Sequence, residues 1–255
     1  MNKILSLTFA FLVLSFSFTH AQVNTEKFRT DIDSAGFSGN VDISATALTG
    51  NTDFQLLSAD THLNYNWGKD YTFFVGSAGY GWQNKEAFSN QALAHLRHVV
   101  TANDFLQLEF FTQLDYNKKR LLLARELAGT GIRLKVISTN NFKLRYGLAY
   151  MFEHEEYDLP ANSEHGRLTN ASRLSSYITF NTQLKDGFSF VSVSYFQPKL
   201  NEWNDFKAIS DNSFISEISS LIDITFGVSL RYDSRPPDTI KKLDTVSKFG
   251  LSFKF

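Results

Sequence analysis

Residues 222–233 read IDITFGVSLRYD. Ile222, Ile224, Phe226, Val228, Leu230 and Tyr232 fall on one side of an extended chain; Asp223, Thr225, Ser229, Arg231 and Asp233 fall on the other. A period of two specifies a strand with one oily and one polar face, and no helix can carry it. The same alternation runs through 37–48, 57–67, 105–116 and 142–153. The last twelve residues, DTVSKFGLSFKF, set Phe249, Leu251, Phe253 and Phe255 against Lys248, Gly250, Ser252 and Lys254. Weaker strands at 71–83, 90–100, 125–137, 171–184, 188–198 and 209–219 bring the number to about twelve, an even count.

The connections set the topology. Tight turns at 67–70, 101–104, 138–141, 185–187 and near 219–221 alternate with longer links at 84–90, 117–124, 154–170, 199–208 and 234–243, and only the first link of the second kind, 49–52, is short. Pro160, Pro198, Pro236 and Pro237 all fall in or beside the longer links, where a missing ladder N–H costs least. Short turns on one rim and longer loops on the other are the pattern of an outer-membrane barrel. The predicted fold is therefore all-β: a transmembrane antiparallel up-and-down β-barrel of about twelve strands, apolar faces toward lipid. The last strand is expected to close on the first, because hydrocarbon leaves no partner for an open edge.

At the other end Lys3 precedes an apolar run from Ile4 to Phe18 and then Thr19-His20-Ala21-Gln22. One early positive charge, a short apolar core and small residues before the cut describe a secretory signal peptide. The expected organisation is a signal peptide at 1–21, a short periplasmic segment at 22–36 and the barrel at 37–255. Formal net charge is −1, and one unit more negative without Lys3, so nothing suggests a nucleic-acid partner. The chain contains no cysteine, which excludes disulfides, zinc–thiolate sites and cysteine nucleophiles. Mean hydropathy of −0.20 is too polar for a helical membrane protein, whereas 25 phenylalanines in 255 residues suit strands in which every second residue meets oil.

Three motifs carry a resemblance. Leu48-Thr49-Gly50-Asn51-Thr52 follows the first strand, Arg125-Glu126-Leu127-Ala128-Gly129-Thr130-Gly131 lies mid-chain, and Asp233-Ser234-Arg235-Pro236-Pro237 precedes Lys242-Leu243-Asp244-Thr245. In order and spacing they resemble the salt-stress-induced outer-membrane β-barrel family, a domain of unknown function, over roughly 37–255. The resemblance implies location, architecture and a link to osmotic or acid stress. It supplies no catalytic residues.

The candidate functional residues are the ionisable groups on predicted inward faces: Asp42, Asp60 and His62; His95 and Arg97; Glu109 and Asp115; Arg133 and Lys135; Lys143 and Arg145; Arg173; and Asp223, Arg231 and Asp233. Opposite signs on adjacent walls would clamp the lumen or set weak ion selectivity, with Glu109 expected to meet Arg133 or Lys135. Phe253 and Phe255 are read as an assembly signal for the outer-membrane barrel machinery. Ser58, Asp60 and His62 share a face, but no nucleophile motif accompanies them, so no enzyme activity is expected. The acidic stretch Glu153-His154-Glu155-Glu156-Tyr157-Asp158, with Glu164-His165, is read as an outer loop with cation-ligand chemistry but no known spacing; no metal or cofactor is expected. Lys118-Lys119-Arg120 is a candidate grip on lipopolysaccharide phosphates. The remaining expected partner is outer-membrane lipid, with the chain a monomer.

Overall fold

The computed structural model describes residues 35–50, 53–84, 86–185, 187–219 and 222–253. The expectations for the signal peptide and for Phe255 lie outside the described residues, as does nearly all of the segment 22–36. Twelve strands form one sheet in sequence order: β1 Gly36–Leu48, β2 Phe54–Asn66, β3 Tyr71–Gln83, β4 Glu86–Thr101, β5 Leu106–Asn117, β6 Leu122–Ser138, β7 Phe142–Tyr157, β8 Leu168–Lys185, β9 Phe188–Lys199, β10 Glu202–Ser219, β11 Ile222–Asp233 and β12 Leu243–Phe253. Neighbours in sequence are antiparallel neighbours in space, the up-and-down arrangement. A short 3-10 helix, Lys118–Arg120, joins β5 to β6.

The sheet rolls into a barrel. Tyr177 on β8 reaches Glu109 on β5, Lys207 on β10 reaches Glu153 on β7, and Arg120 beyond β5 contacts Asp244 on β12. Such contacts between non-adjacent strands require the sheet to curl until its inner face meets itself. β1 and β12 are the two margins. Among the described residues no ladder joins them, so the expected hydrogen-bonded closure is not formed within the span that ends at Phe253.

The pleat sorts the side chains. Phe226 opposes Phe249 and Phe214 across the β11 ladders, and all three face outward and are exposed. Ile43, Leu57, Phe110, Leu114, Tyr150, Ile178 and Leu251 continue this outer apolar surface around the wall. Inward positions alternate with them: Gln107, Glu109, Gln113, Asp115 and Asn117 on β5 are all buried. Toward the loop rim the outer face turns polar, in a cross-strand row of Glu126, His154 and Asn170. His154 Nδ1 lies 2.8 Å from Asn170 Oδ1. Aromatic pairs mark both rims: Tyr65 with Trp67 at 4.5 Å on the turn side, and Tyr80 with Trp82 at 4.2 Å on the loop side.

Two of the loops expected at the longer rim are strand instead. The links at 84–90 and 199–208 shrink to residues 84–85 and 200–201. The acidic stretch 153–157 belongs to β7, and β10 begins at Glu202. Only the β7–β8 and β11–β12 connections remain long.

Candidate functional site

Ion pairs fill one side of the barrel interior. Arg125 enters from β6 and donates through Nε and a terminal nitrogen to Glu153 Oε2 of β7, at 2.9 and 2.7 Å. Its other terminal nitrogen lies 3.2 Å from Asp115 Oδ2 of β5. Glu153 is wholly buried, and its second oxygen accepts from Arg173 Nε of β8 at 2.5 Å and Lys207 Nζ of β10 at 2.9 Å. Lys207 also donates to Glu155 at 2.6 Å, and Arg173 to Asp205 at 2.9 Å. Three cations and four carboxylates therefore interlock. Each side chain is at least mostly buried, an arrangement that tolerates desolvation because nearly every charge has several partners.

The cluster extends toward β4. Gln113 donates to Asp115 at 2.7 Å, and its carbonyl oxygen lies 2.9 Å from His95 Nδ1. One step along, Arg97 meets Glu109 at 3.2 Å, and Tyr177 donates its hydroxyl to the same Glu109 oxygen at 3.0 Å. Arg97 also lies 4.9 Å from the Phe111 ring centroid and 5.8 Å from that of Phe73, within cation–π range. Glycines admit these aromatics. A Cβ on Gly147 would lie 2.0 Å from Tyr177 Cε1, and one on Gly129 2.4 Å from Phe111 Cζ, so each ring lies directly over a backbone without a side chain.

Apart from Asp223, the predicted inward residues sit on the interior face of their strands, but they do not act as one set. His95, Arg97, Glu109, Asp115 and Arg173 join the cluster just described. Arg133 donates to Gln107 at 3.0 Å; the β5–β6 register sets Glu109 opposite Gly131, and Glu109 forms an ion pair with Arg97 of β4. Arg145 donates to the backbone oxygens of Ile137 and Leu144, Lys135 lies opposite Arg145, and Lys143 opposes Ser138 at the turn rim. Arg231 lies 3.9 Å from Asp211, and Asp233 accepts from the Arg235 N–H at 2.9 Å. Asp42 and Asp60 face each other across the β1–β2 ladder. His62 packs edge-on to Phe73. The side chains of Asp223 and Phe253 lie outside the described residues. Ser58 bonds Ser44 at 2.7 Å instead of joining Asp60 and His62 in a catalytic arrangement.

Arg125, Glu153, Glu155, Asp205 and Lys207, the centre of the cluster, were absent from the sequence-derived set. Glu155, Asp205 and Lys207 lie where an acidic run or a predicted loop obscures the strand, and Arg125 and Glu153 stand at the very ends of predicted strands. The signal was available: Glu153, Glu155 and Tyr157 continue the inward phase of Met151, and Asp205 and Lys207 continue that of Ile209. The carboxylates read as cation ligands are taken by Arg125, Arg173 and Lys207.

The opposite side is open. β1, a margin of the sheet, is exposed on both faces, and its inward polar residues Ser38, Asn40, Asp42 and Ser44 share that exposure. Next to them a cavity of about 400 Å³ lies between β2–β4 and the segment 239–244. Arg120 and Asp244, both in its lining, form an ion pair. The 118–120 helix that carries Arg120 is fixed by Asn117, whose side chain accepts from the Arg120 N–H at 3.2 Å. Above the charge cluster the two long loops are tied together, since Asp238 accepts from the N–H groups of Glu164 and His165 at 2.9 and 3.3 Å.

Apolar outside, charged and packed on one side within, and polar and open on the other, the molecule belongs to the class of antiparallel up-and-down β-barrels. The chain is a member of the family described as "Protein of unknown function, DUF481", whose model matches residues 41–255. No curated protein matches the sequence at a significant level. Among solved structures, one titled "NanC porin structure in rhombohedral crystal form" aligns over 85% of this chain and 100% of its own, at 10% identity and a TM-score of 0.47.

Proposed function

We propose that this chain is an outer-membrane β-barrel that acts as a narrow pore, with its passage displaced to the β1 side of the interior. The carrying observation is the asymmetry of the inner face. The β4–β8 side is filled by interlocked charges, whereas the inward polar residues of β1 are exposed along the strand. Water and small ions would run beside the cluster, and the cluster would hold that wall rigid and exclude larger solutes.

The membrane part of the reading rests on the outer surface. A continuous apolar face between aromatic rims, with Val41, Phe110 and Phe249 exposed, is stable in hydrocarbon and aggregation-prone in water. The reading makes the barrel a conduit with no catalytic role and no cofactor. Lipid is its surrounding partner, the barrel assembly machinery its route of insertion, and Lys118, which does not line the cavity, a contact for lipopolysaccharide phosphates. A stress-responsive role is supported by the sequence resemblance alone.

A second reading is a non-conducting barrel that binds through its loop rim. It is favoured by the Asp238 tie between the two long loops, which covers the charge cluster. Vesicle swelling separates the two. Refolded protein in proteoliposomes should admit a small solute such as glycine and exclude a trisaccharide. Swelling with neither solute, from protein shown to be folded and inserted, would favour the binding barrel.

A further inference from the structure

The cavity of about 400 Å³ beside the charge cluster is large enough to hold a small organic molecule. Its wall carries hydrogen-bonding groups that nothing else uses. Among the described residues, Ser77 on β3 and Ser89 on β4 make no side-chain hydrogen bond, and Lys119 and Lys241 make no ion pair; all four line the cavity. The lining carries two carboxylates against three cations, Lys119, Arg120 and Lys241. Asp244 pairs with Arg120, and Asp60 lies within electrostatic reach of Lys248. The surplus charge at the cavity is therefore positive and comes from two lysines on different connections, one after β5 and one before β12. Their ammonium groups are exposed and ready to meet an incoming anion, while the hydroxyls lie on the β3–β4 wall.

We propose that this cavity is a binding site for a small hydroxylated organic anion, its carboxylate or phosphate held by Lys119 and Lys241 and its hydroxyls by Ser77 and Ser89. The assignment deepens the pore reading by naming a solute class for the open side of the interior, and it rests on that reading only for the route by which the solute arrives. A plain inorganic anion would use the lysines and leave the serines idle. A neutral polyol would use the serines and leave the lysines idle. The site is matched to a molecule that carries both kinds of group. Arg120 also lines the cavity, with further N–H donors beyond its pair with Asp244, so it can turn toward the anion without leaving the carboxylate.

Gly79 supplies an internal control. It lines the cavity, and a Cβ built on it would meet its nearest atoms, in Gln91 and Ser89, at 3.7 Å, an ordinary contact. A larger side chain at Gly79 can therefore fill the cavity with little demand on the wall.

The test is isothermal titration of refolded full-length protein in detergent micelles, with heat-modifiable electrophoretic mobility verifying the fold of every variant. Gluconate and glucose 6-phosphate are the anionic probes, representing a carboxylate and a phosphate; glucose and sulfate are the controls. Saturable binding of at least one anionic probe is expected, at least tenfold tighter than glucose or sulfate. The preferred probe identifies the anion class. The Lys119→Gln/Lys241→Gln double variant should weaken that binding at least tenfold, and Gly79→Leu should abolish it. Equal affinity for glucose would overturn the anion assignment, and equal affinity for sulfate would overturn the role of the hydroxyls. Absence of saturable binding to folded wild type, or binding undiminished in both variants, would overturn the site. Because the readout is heat and not current, a barrel that binds without conducting defeats the pore reading alone, and one that conducts without binding defeats this proposal alone.

Discussion

Arg125 places two of its nitrogens on a single oxygen of Glu153, at 2.9 and 2.7 Å, and leaves the other Glu153 oxygen to Arg173 and Lys207. Glu153 is thus the shared anion of three buried cations contributed by three different strands. Its position on β7 ties β6, β8 and β10 together from inside the barrel, a connection that the backbone ladders alone cannot make between β7 and β10.

Glu153→Gln should therefore be far more damaging than an ordinary isosteric change. The amide keeps the shape but leaves Arg125, Arg173 and Lys207 short of a counter-charge at a position with no exposed surface. Breaking a buried pair in this way costs about 3–5 kcal/mol. The check is urea-dependent unfolding of the refolded barrel in lipid vesicles; a loss below about 1 kcal/mol would mean that water already reaches the cluster.

The side-chain sorting on β11 is tested by placing a charge on each face. Phe226 is outward and 42% exposed, and its neighbour Thr225 faces inward. Phe226→Arg should cost roughly 2–4 kcal/mol in a bilayer, and Thr225→Arg much less, because only the first puts a guanidinium into hydrocarbon. The same vesicle unfolding assay decides it, and equal losses would contradict the assignment of the outer face to lipid.

The pair between Arg120 and Asp244 joins the 118–120 helix to β12 in the cavity lining, with 22% and 35% of the two side chains exposed. At that exposure the pair is weak and screened by salt. Asp244→Asn should free the helix and speed tryptic cleavage after Lys118 or Lys119 several-fold at low ionic strength. In 1 M salt wild type should approach the variant. Identical cleavage rates at low salt would show that Asn117 capping alone holds the helix.

Most of the wall was legible in the sequence because period-two alternation is local. On β5, Leu108 and Phe110 against Gln107 and Glu109 announce strand, faces and interior at once. The candidate site was only half legible. Asp115 and Arg173 were found from their faces, but their partners Arg125, Glu153 and Lys207 sit at strand ends where the outer face has turned polar, as at Glu126, His154 and Glu156. There the oily side of the alternation disappears, and a strand beyond the apolar belt reads as a charged loop. Partner choice at Glu109 was not legible either. It depends on which diagonal neighbour has the reach, and the register sets glycine, not a cation, opposite Glu109 on β6. The cavity is assembled from connections whose folding back depends on one cap at Asn117 and one ion pair, and no periodicity encodes that.

The central claim, a barrel with one side filled and a passage along β1, is tested most directly by cysteine scanning of single channels, since the natural chain has no cysteine to interfere. Wild type and the variants Asn40→Cys and Ser175→Cys are refolded into planar bilayers and exposed to a charged methanethiosulfonate reagent. Asn40 is inward and exposed on β1; Ser175 is inward and buried on β8, accepting a hydrogen bond from Gln197 at 3.1 Å. The account predicts small, regular conductance steps in all three proteins, with the reagent cutting the current of Asn40→Cys and leaving that of Ser175→Cys unchanged. An absence of steps from inserted protein, or block at Ser175→Cys with none at Asn40→Cys, would contradict it.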